Sequence, residues 1–147
     1  MDRTEEGSSL SILVIDDDPD ILGSIRQYLE DRGHRVFLAH TGEEGLRTLE
    51  KEPIDIVITD VKMPGMDGFE VLRRVKAVSS GTDVIIITGY REIENAFRAM
   101  REGAFDFFTK PLKVQDLSAS LQRTARFRAL RQERDRIQAR LDRVDVG

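Results

Sequence analysis

Acidic side chains crowd together where the first apolar segment of the chain ends. The segment ILVI at 12–15 is followed by Asp16, Asp17 and Asp18, with Asp20 just beyond. Carboxylates this close repel one another, and at least one takes up a proton unless a positive charge lies among them. A hard divalent ion such as Mg²⁺ relieves the repulsion and prefers oxygen ligands. The stretch therefore raises the question of which acids hold a cation and which one reacts.

Three later apolar segments also end in residues that bind metals or phosphoryl groups. They deliver Asp60 at the end of IDIVITD, Thr88 at the end of VIIIT, and Lys110 directly after FDFFT. Lys110 and Thr88 would offer a positive charge and a hydroxyl donor to the oxygens of an anion. Together with the aspartates and a metal they describe a phosphoryl-transfer site, in which the metal and the lysine absorb charge while an aspartate attacks in line.

A parallel sheet would bring these residues to one edge. Short, branched apolar runs at 12–15, 54–58 and 84–87 are typical of strands buried on both faces, and weaker runs lie at 35–39 and 105–108. Segments with helical spacing separate the runs. This strict alternation predicts a doubly wound α/β sheet of five parallel strands, and ligands of such sheets bind beyond the carboxyl ends of the strands.

Several other residues are interpreted as structural. Gly33 and Gly103 stand where helices would end and can take the left-handed conformation there. Asp18 opens a helix, where acids are favoured by the helix dipole. Asp55 and Asp67 are interpreted as solvated or helix-capping.

The bulk composition bounds the class of protein. A chain of 147 residues is long enough for one domain and a tail. We expect a disordered segment at 1–9, a domain at 10–125 and a helical linker at 126–147. No apolar run approaches the ~20 residues that a membrane span needs, and the first residues lack a signal-peptide pattern. The absence of cysteine excludes disulfides and thiolate metal sites, and we expect a cytoplasmic protein.

The C-terminal segment differs in charge from the rest of the chain. Residues 126–147 carry seven arginines against four acids, or +3, so 1–125 must sum to −7 to give the net charge of −4. The acidic body argues against wrapping nucleic acid, and DNA binding by the tail is disfavoured. Apolar residues recur at helical spacing from about 114 to 144, and from Phe127 onward they fit heptad a and d positions, interrupted by Arg134. A coiled coil with a second copy and a solvated linker both remain open.

Four motifs resemble those of the receiver domain of two-component response regulators. They follow the four strand ends in the right order, and they are IDD at 15–17, DVKMPGMDG at 60–68, ITG at 87–89 and TKP at 109–111. The spacing is also workable, because Asp16, Asp60, Thr88 and Lys110 lie 44, 28 and 22 residues apart in turn. The resemblance covers about 10–125.

The resemblance implies a fold, a subtype and partners. Receivers have a flavodoxin-like (βα)5 fold with strand order 2-1-3-4-5. The stretch ITGYREIENAFRAMREGAFDFFTKP at 87–111 looks most like receivers of the nitrogen-regulation type, whose final helix extends into a dimerising linker ahead of an effector module. We therefore expect a homodimer through the fourth and fifth helices and the C-terminal helix. The chain is expected to be either a stand-alone regulator or, preferably, a fragment separated from its effector module.

The resemblance also implies residue roles. Asp60 would accept a phosphoryl group from a phosphohistidine on a sensor histidine kinase. Asp17, Asp60 and the main-chain carbonyl of Lys62 would ligate Mg²⁺ or Mn²⁺. Asp16 would act through a bound water, and Lys110, followed by a cis peptide bond, would pair with Asp60 or its phosphate. Such a protein is a switch that assists its own phosphorylation and dephosphorylation rather than a turnover enzyme.

Residues around the phosphate have implied roles in switching. Thr88 would move to bond the phosphate, and Phe107, at an aromatic position where many members have tyrosine, would rotate inward. Gly89 leaves the phosphate room. At the rim of the site, Lys62 would reach the phosphate oxygens and Tyr90 would shield the acyl phosphate from water.

A second family shares part of this pattern. Asp16 and Asp18 form DxD after an apolar strand and are similar to the pair of haloacid dehalogenase phosphohydrolases, in which the first aspartate is the nucleophile and the second the acid and base. That interpretation leaves Asp60 without a role. Pro19 also follows the pair where a small or hydroxylated residue is usual, and no acidic pair ends a strand after Lys110. The two interpretations differ in which strand carries the phosphorylated aspartate.

Overall fold

The computed structural model describes residues 9–89 and 93–146, and over these residues five strands alternate with five helices. The elements in chain order are β1 Ser11–Ile15, α1 Pro19–Asp31, β2 Arg35–Ala39, α2 Gly42–Lys51, β3 Ile56–Thr59, α3 Gly68–Val78, β4 Asp83–Thr88, α4 Ile93–Arg101, β5 Asp106–Thr109 and α5 Val114–Val146. The predicted tail at 1–9 lies outside the described residues except for Ser9, whose Oγ donates to the Gly33 carbonyl at 2.8 Å.

The strands form one parallel sheet in the order β2-β1-β3-β4-β5. Ile12 of β1 lies between Val36 of β2 and Ile56 of β3, and each further pair continues the same parallel register. The predicted doubly wound α/β sheet and its strand order are therefore confirmed.

The sheet is buried on both faces because alternate residues of each central strand point to opposite layers. Leu13 and Val57 pack into a cluster with α2, α3 and α4, while their neighbours Ile12 and Ile58 pack into a second cluster with α1 and the start of α5. This two-sided burial explains why the central strands are apolar runs rather than alternating patterns.

The turn and cap predictions can be compared residue by residue. Asp18 accepts a hydrogen bond from Asp20 N at 2.9 Å and Asp67 from Glu70 N at 2.9 Å, so both cap helices as predicted. Gly33 has φ of 89° and Gly103 φ of 102°, which confirms their left-handed conformation.

Asp55 lies just ahead of β3, which begins two residues later than the predicted run. Its carboxylate accepts from Ser11 N at 2.9 Å and its own N–H donates to Ser11 O at 2.8 Å. It also forms an ion pair with Arg128 at 2.9 Å, while 32% of its side chain stays exposed. Asp55 is therefore partly solvated, and beyond the prediction it fastens the chain ahead of β3 to β1 and α5.

The last helix extends well beyond the sheet. Its 33 residues span about 50 Å at 1.5 Å per residue, and every described side chain from Gln132 to Val144 is exposed. The exposed apolar side chains of this helix are those of the predicted a and d positions: Phe127, Leu130, Ile137, Leu141 and Val144. None of the described helices is long and apolar enough to cross a membrane.

Gly68, the first residue of α3, lies against the backbone of the loop that follows β3. Its N–H donates to Val61 O at 2.8 Å, and a Cβ added there would lie 2.2 Å from Asp60 O and 2.8 Å from the Val61 Cα. A side chain would have to displace backbone atoms, which cannot move aside as a flexible side chain can.

We predict that Gly68→Ala lowers the free energy of unfolding by about 1–3 kcal/mol, the usual cost of overpacking. The control is Gly23→Ala in the exposed middle of α1, where an added Cβ meets no atom within 4 Å. Gly23→Ala is expected to raise the free energy of unfolding by roughly 0.5–1 kcal/mol, the helix preference of alanine over glycine. Urea unfolding measures both, and equal effects in the two variants would contradict the close approach at Gly68.

Candidate functional site

The predicted site residues lie at the carboxyl edge of four adjacent strands. Asp16 and Asp17 follow β1, Asp60 follows β3, Thr88 ends β4 and Lys110 follows β5. The chain reverses its direction of winding at β1, with β2 on one side and β3 on the other. This switch point is where ligands bind in open α/β sheets.

Three carboxylates meet at this edge. Asp16, Asp17 and Asp60 each contribute one oxygen, and the three oxygens lie within 4.8 Å of one another. Asp16 and Asp60 are buried, with 4% and 7% of their surface exposed, whereas Asp17 is exposed and opens the cluster to solvent. A set of oxygen donors with one open side could hold a hard divalent cation.

Lys110 bridges the two buried carboxylates. Its Nζ donates to Asp16 Oδ2 at 3.0 Å and to Asp60 Oδ2 at 3.0 Å. Burial alone lowers the pKa of Lys110, but the hydrogen bonds and charges of the two aspartates outweigh it and raise the pKa above its ordinary value. Lys110 therefore stays protonated between them.

The ionised form of Asp16 remains disfavoured in spite of this lysine. Its Oδ1 accepts from Asp18 N at 2.9 Å, which orients the carboxylate toward the cluster. Burial raises the pKa of Asp16 above its ordinary value, and the hydrogen bonds from Asp18 N and Lys110 do not fully offset it, since the charge of Asp60 also raises it. More positive charge at this edge would stabilise the ionised form.

Asp60 has one oxygen that the protein does not satisfy. Oδ2 accepts from Lys110, whereas Oδ1 is buried and receives no hydrogen bond from the residues that the structure describes. Within that part of the chain it is the only buried side-chain nitrogen or oxygen in this condition. Buried carboxylate oxygens without a donor are costly, and they mark places where an ion or a reacting group completes the site.

The opposite side of the site is formed by β4 and β5. Thr88 is fully buried, and its carbonyl accepts from Lys110 N at 2.7 Å. Phe107 lies beside Ile86 in the register and packs half-buried against the core. A Cβ added at Gly89 would meet no atom of the described residues within 4 Å, so these residues leave the space beside Gly89 open.

The remaining predictions are placed only in part. Lys62 lies exposed in the loop after Asp60. Tyr90 lies outside the described residues. The bond between Lys110 and Pro111 is cis, as the resemblance implied. The roles assigned to these residues stay predictions.

Two contacts of the site were missed by sequence reasoning. The link from Lys110 to Asp16 joins residues 94 apart and has no local signal. The hydrogen bond from Asp18 N to Asp16 joins residues two apart, a spacing typical of aspartate turns that could have indicated it.

Comparison with known proteins identifies the family. A family model of the response regulator receiver domain matches residues 12–122, which include the aspartates, Thr88 and Lys110. The chain belongs to this family. The match favours the receiver interpretation over the haloacid dehalogenase interpretation.

Individual receivers resemble this chain in sequence and fold. The transcriptional regulatory protein GlrR of Escherichia coli (strain K12) is 40% identical over 101 residues, which cover 69% of this chain and 23% of that protein. A receiver domain protein from Clostridium thermocellum is 41% identical with a TM-score of 0.78, covering 82% of this chain and 98% of that one. A beryllofluoride-activated NtrC4 receiver domain dimer is 28% identical with a TM-score of 0.77, covering 80% and 98%.

The curated relatives support the nitrogen-regulation resemblance. Several are transcriptional regulators, and this chain spans about a quarter of their length. The receiver is therefore the portion that these regulators share with the chain.

We predict that Mg²⁺ raises the melting temperature, because an ion that binds the folded state stabilises it by about 2.7 kcal/mol at a hundred times its Kd. Asp17→Asn should reduce this shift. Without Mg²⁺ the same variant should be more stable than the parent by about 1 kcal/mol, because one of three mutually repelling charges is gone. Calorimetry with Mg²⁺ and with EDTA measures both effects.

The control for this experiment is Asp135→Asn, which removes an exposed carboxylate from α5 far from the cluster. It should keep the full Mg²⁺ shift. A shift that is the same in the parent and in Asp17→Asn would contradict metal binding at the cluster.

Proposed function

We propose that this receiver domain is a phosphorylation-dependent switch in which Asp60 accepts a phosphoryl group from a phosphohistidine of a sensor histidine kinase. The observation that carries the proposal is Asp60 Oδ1, a buried oxygen without a hydrogen bond from the described residues, next to Asp16 and Asp17. Oδ2 of the same carboxylate is held by Lys110 at 3.0 Å. One oxygen is thus anchored by the lysine, while the other lacks a partner that a cation or a phosphoryl group could supply.

The proposed transfer is a single displacement at phosphorus. The bond from the Asp60 carboxylate oxygen to phosphorus forms as the bond from the histidine nitrogen breaks, and the imidazole leaves with the electron pair. Lys110 stays protonated and neutralises negative charge on the aspartate and on the transferred group.

The acidic cluster fits a divalent cation, because its hard oxygen donors include an oxygen that no described residue satisfies. In the proposal Asp17, Asp60 and the main-chain carbonyl of Lys62 hold Mg²⁺ or Mn²⁺ directly, and Asp16 holds it through a water. Bound Mg²⁺ supplies positive charge to the phosphoryl oxygens.

The switch itself is assigned to Thr88 and Phe107. Thr88 ends the buried strand β4, and its hydroxyl would move toward the phosphate through the open space beside Gly89. Phe107 on the neighbouring strand would then rotate inward. At the rim, Lys62 and Tyr90 would slow attack by water, and a shorter phosphoryl half-life in their alanine variants would support this.

We predict that protein incubated with Mg²⁺ and acetyl phosphate gains the mass of one phosphoryl group. Asp60→Asn removes the proposed nucleophile and should gain none. Asp16→Asn keeps the nucleophile and should still gain the group, more slowly, because a metal-holding carboxylate is lost. Intact mass spectrometry over a time course measures all three.

Two results would contradict the assignment. One is a phosphoryl gain that persists in Asp60→Asn and disappears in Asp16→Asn, which is what the haloacid dehalogenase interpretation expects. The other is an equal rate of gain with Mg²⁺ and with EDTA. Asp135→Asn serves as the control for loss of a carboxylate away from the site.

We also propose that a second copy of the chain is the partner of the exposed apolar surfaces. Phe97 and Met100 are exposed on α4, and the a and d side chains of α5 form an exposed stripe from Phe127 to Val144. A long helix with such a stripe gains stability by pairing. The similar NtrC4 receiver was solved as a dimer.

The output of the proposed switch is inferred from the curated relatives. GlrR and several other curated relatives are transcriptional regulators longer than this chain, and we propose that the receiver transmits its state through α5 to an effector module of a longer, cytoplasmic protein. Direct DNA binding by α5 is not part of the proposal, since the exposed arginines of its outer half are interleaved with acids.

We predict that Ile137→Gln with Leu141→Gln reduces the fraction of dimer, because both side chains belong to the stripe and glutamine keeps helix propensity. The control is Ala139→Gln, an exposed position on the opposite face of α5. Light scattering over a range of protein concentrations measures the mass. A mass unchanged by the double substitution would contradict pairing through α5, and tight, salt-sensitive DNA binding would favour the alternative for the tail.

A further inference from the structure

One buried carboxylate of the described chain takes no part in the site. The buried acids are Asp16, Asp60 and Asp83, and the first two belong to the cluster at the carboxyl edge. Asp83 starts β4 and therefore lies at the opposite, amino edge of the sheet. Buried carboxylates need a charged or hydrogen-bonding partner. The partner of Asp83 therefore identifies the part of the chain that is attached to the amino edge.

Two arginines of α5 provide that partner. Arg131 Nη2 lies 2.9 Å from Asp83 Oδ2, and Arg128 Nη1 lies 3.5 Å from the same oxygen. Arg128 also donates from Nη2 to Asp55 Oδ1 at 2.9 Å. These four side chains, Arg128, Arg131, Asp55 and Asp83, are called the amino-edge latch below.

Arg128 is also bonded to backbone. Its Nη1 donates to Gly81 O at 2.6 Å and to Asp55 O at 3.2 Å, and its side chain is only 19% exposed. Asp55 in turn bonds Ser11 in both directions, so the guanidinium is tied to the starts of β1, β3 and β4 together. A planar fork with several donors suits such a site, and a lysine ammonium does not reproduce it.

The latch continues the face by which α5 packs on its own domain. The residues of that face alternate by four and three along the helix, and they are Leu117, Leu121, Thr124, Arg128 and Arg131. The apolar stripe begins at Phe127, one residue and therefore about 100° around the helix from Arg128. After Arg131 the described side chains up to Val144 are all exposed. The latch is thus the last attachment before the helix leaves the domain.

We propose that the amino-edge latch fixes the direction in which α5 leaves the receiver and so turns its apolar stripe outward, toward a second copy. The latch acids stand on or just before β3 and β4, the strands that carry Asp60 and Thr88 at their other ends. The helix is therefore attached to the same two strands that carry Asp60 and Thr88. The proposal rests on the proposed function in treating α5 as a linker and a second copy as the partner of its stripe.

The latch can be tested by distance measurement, since the chain has no cysteine and accepts site-directed spin labels cleanly. Labels are placed at Lys51→Cys at the end of α2 and Gln138→Cys on α5, both exposed positions. The labelled protein is diluted with unlabelled protein so that pulsed electron paramagnetic resonance reports distances within one chain. Arg128→Gln with Arg131→Gln is compared with Arg134→Gln and Arg136→Gln, which remove the same charge beyond the domain.

We expect one narrow distance distribution in the parent and in the Arg134 and Arg136 control. Loss of the latch should make the distribution roughly twofold broader, because an undocked helix samples many exit angles. A parental width after loss of both latch arginines overturns the proposal. Circular dichroism is recorded alongside, and a loss of helix in the latch variant that the control does not show would assign the broadening to fraying and also overturn the proposal.

Arg128→Lys keeps the positive charge and tests the proposal independently if the double substitution does not fold. It should broaden the distribution by less than the double substitution, since a single ammonium nitrogen does not reproduce the planar fork that reaches both carbonyls and the carboxylate. A parental width in Arg128→Lys would overturn the role given to the guanidinium. The readout uses unphosphorylated protein, so failure of the latch and failure of phosphorylation on Asp60 are distinguishable.

Discussion

The repulsion among three aspartates at one edge of the sheet is the constraint on which the site depends. Lys110 bridges Asp16 and Asp60, yet a single ammonium cannot balance three carboxylates, and the pKa of Asp16 remains raised by burial. One oxygen of Asp60 is left buried without a hydrogen bond from the described residues. A bound cation would relieve this repulsion and give the Asp60 oxygen a positive partner, and positive charge is what the proposed Mg²⁺ brings to the site.

The two edges of the sheet contribute to this arrangement in different ways. At the carboxyl edge the chain leaves room for ligands, and Gly68 packs closely on the backbone of Asp60, the proposed nucleophile. At the amino edge polar groups are fully bonded: Asp55 fastens β1 and β3, and Arg128 ties both to α5. Because the strands between the edges are buried on both faces, they behave as rigid connections from the site to the helix.

Much of the fold and site could be predicted from local patterns, because strand runs, helix caps and acidic clusters are local signals. Asp16, Asp17, Asp60 and Lys110 converge because parallel strands align their carboxyl ends. The latch could not be predicted, since Arg128 and Asp55 are 73 residues apart and an arginine on a helix is usually solvated. For the same reason the pairing of Asp55 could not be predicted, since its sequence neighbours give no sign of the arginine. Heptad spacing predicts only the apolar face of α5, because it is a pattern of apolar residues. It gives no indication of the polar face, with Arg128 and Arg131, that packs on the domain.

The most direct test of the central claim is to locate the phosphoryl group by chemistry. Protein treated with Mg²⁺ and acetyl phosphate is reduced with borohydride, which converts an aspartyl phosphate to homoserine, and is then digested for tandem mass spectrometry. Asp60 as the acceptor predicts homoserine at position 60, in amounts that fall when EDTA replaces Mg²⁺. Homoserine at position 16, with aspartate intact at position 60, would contradict it.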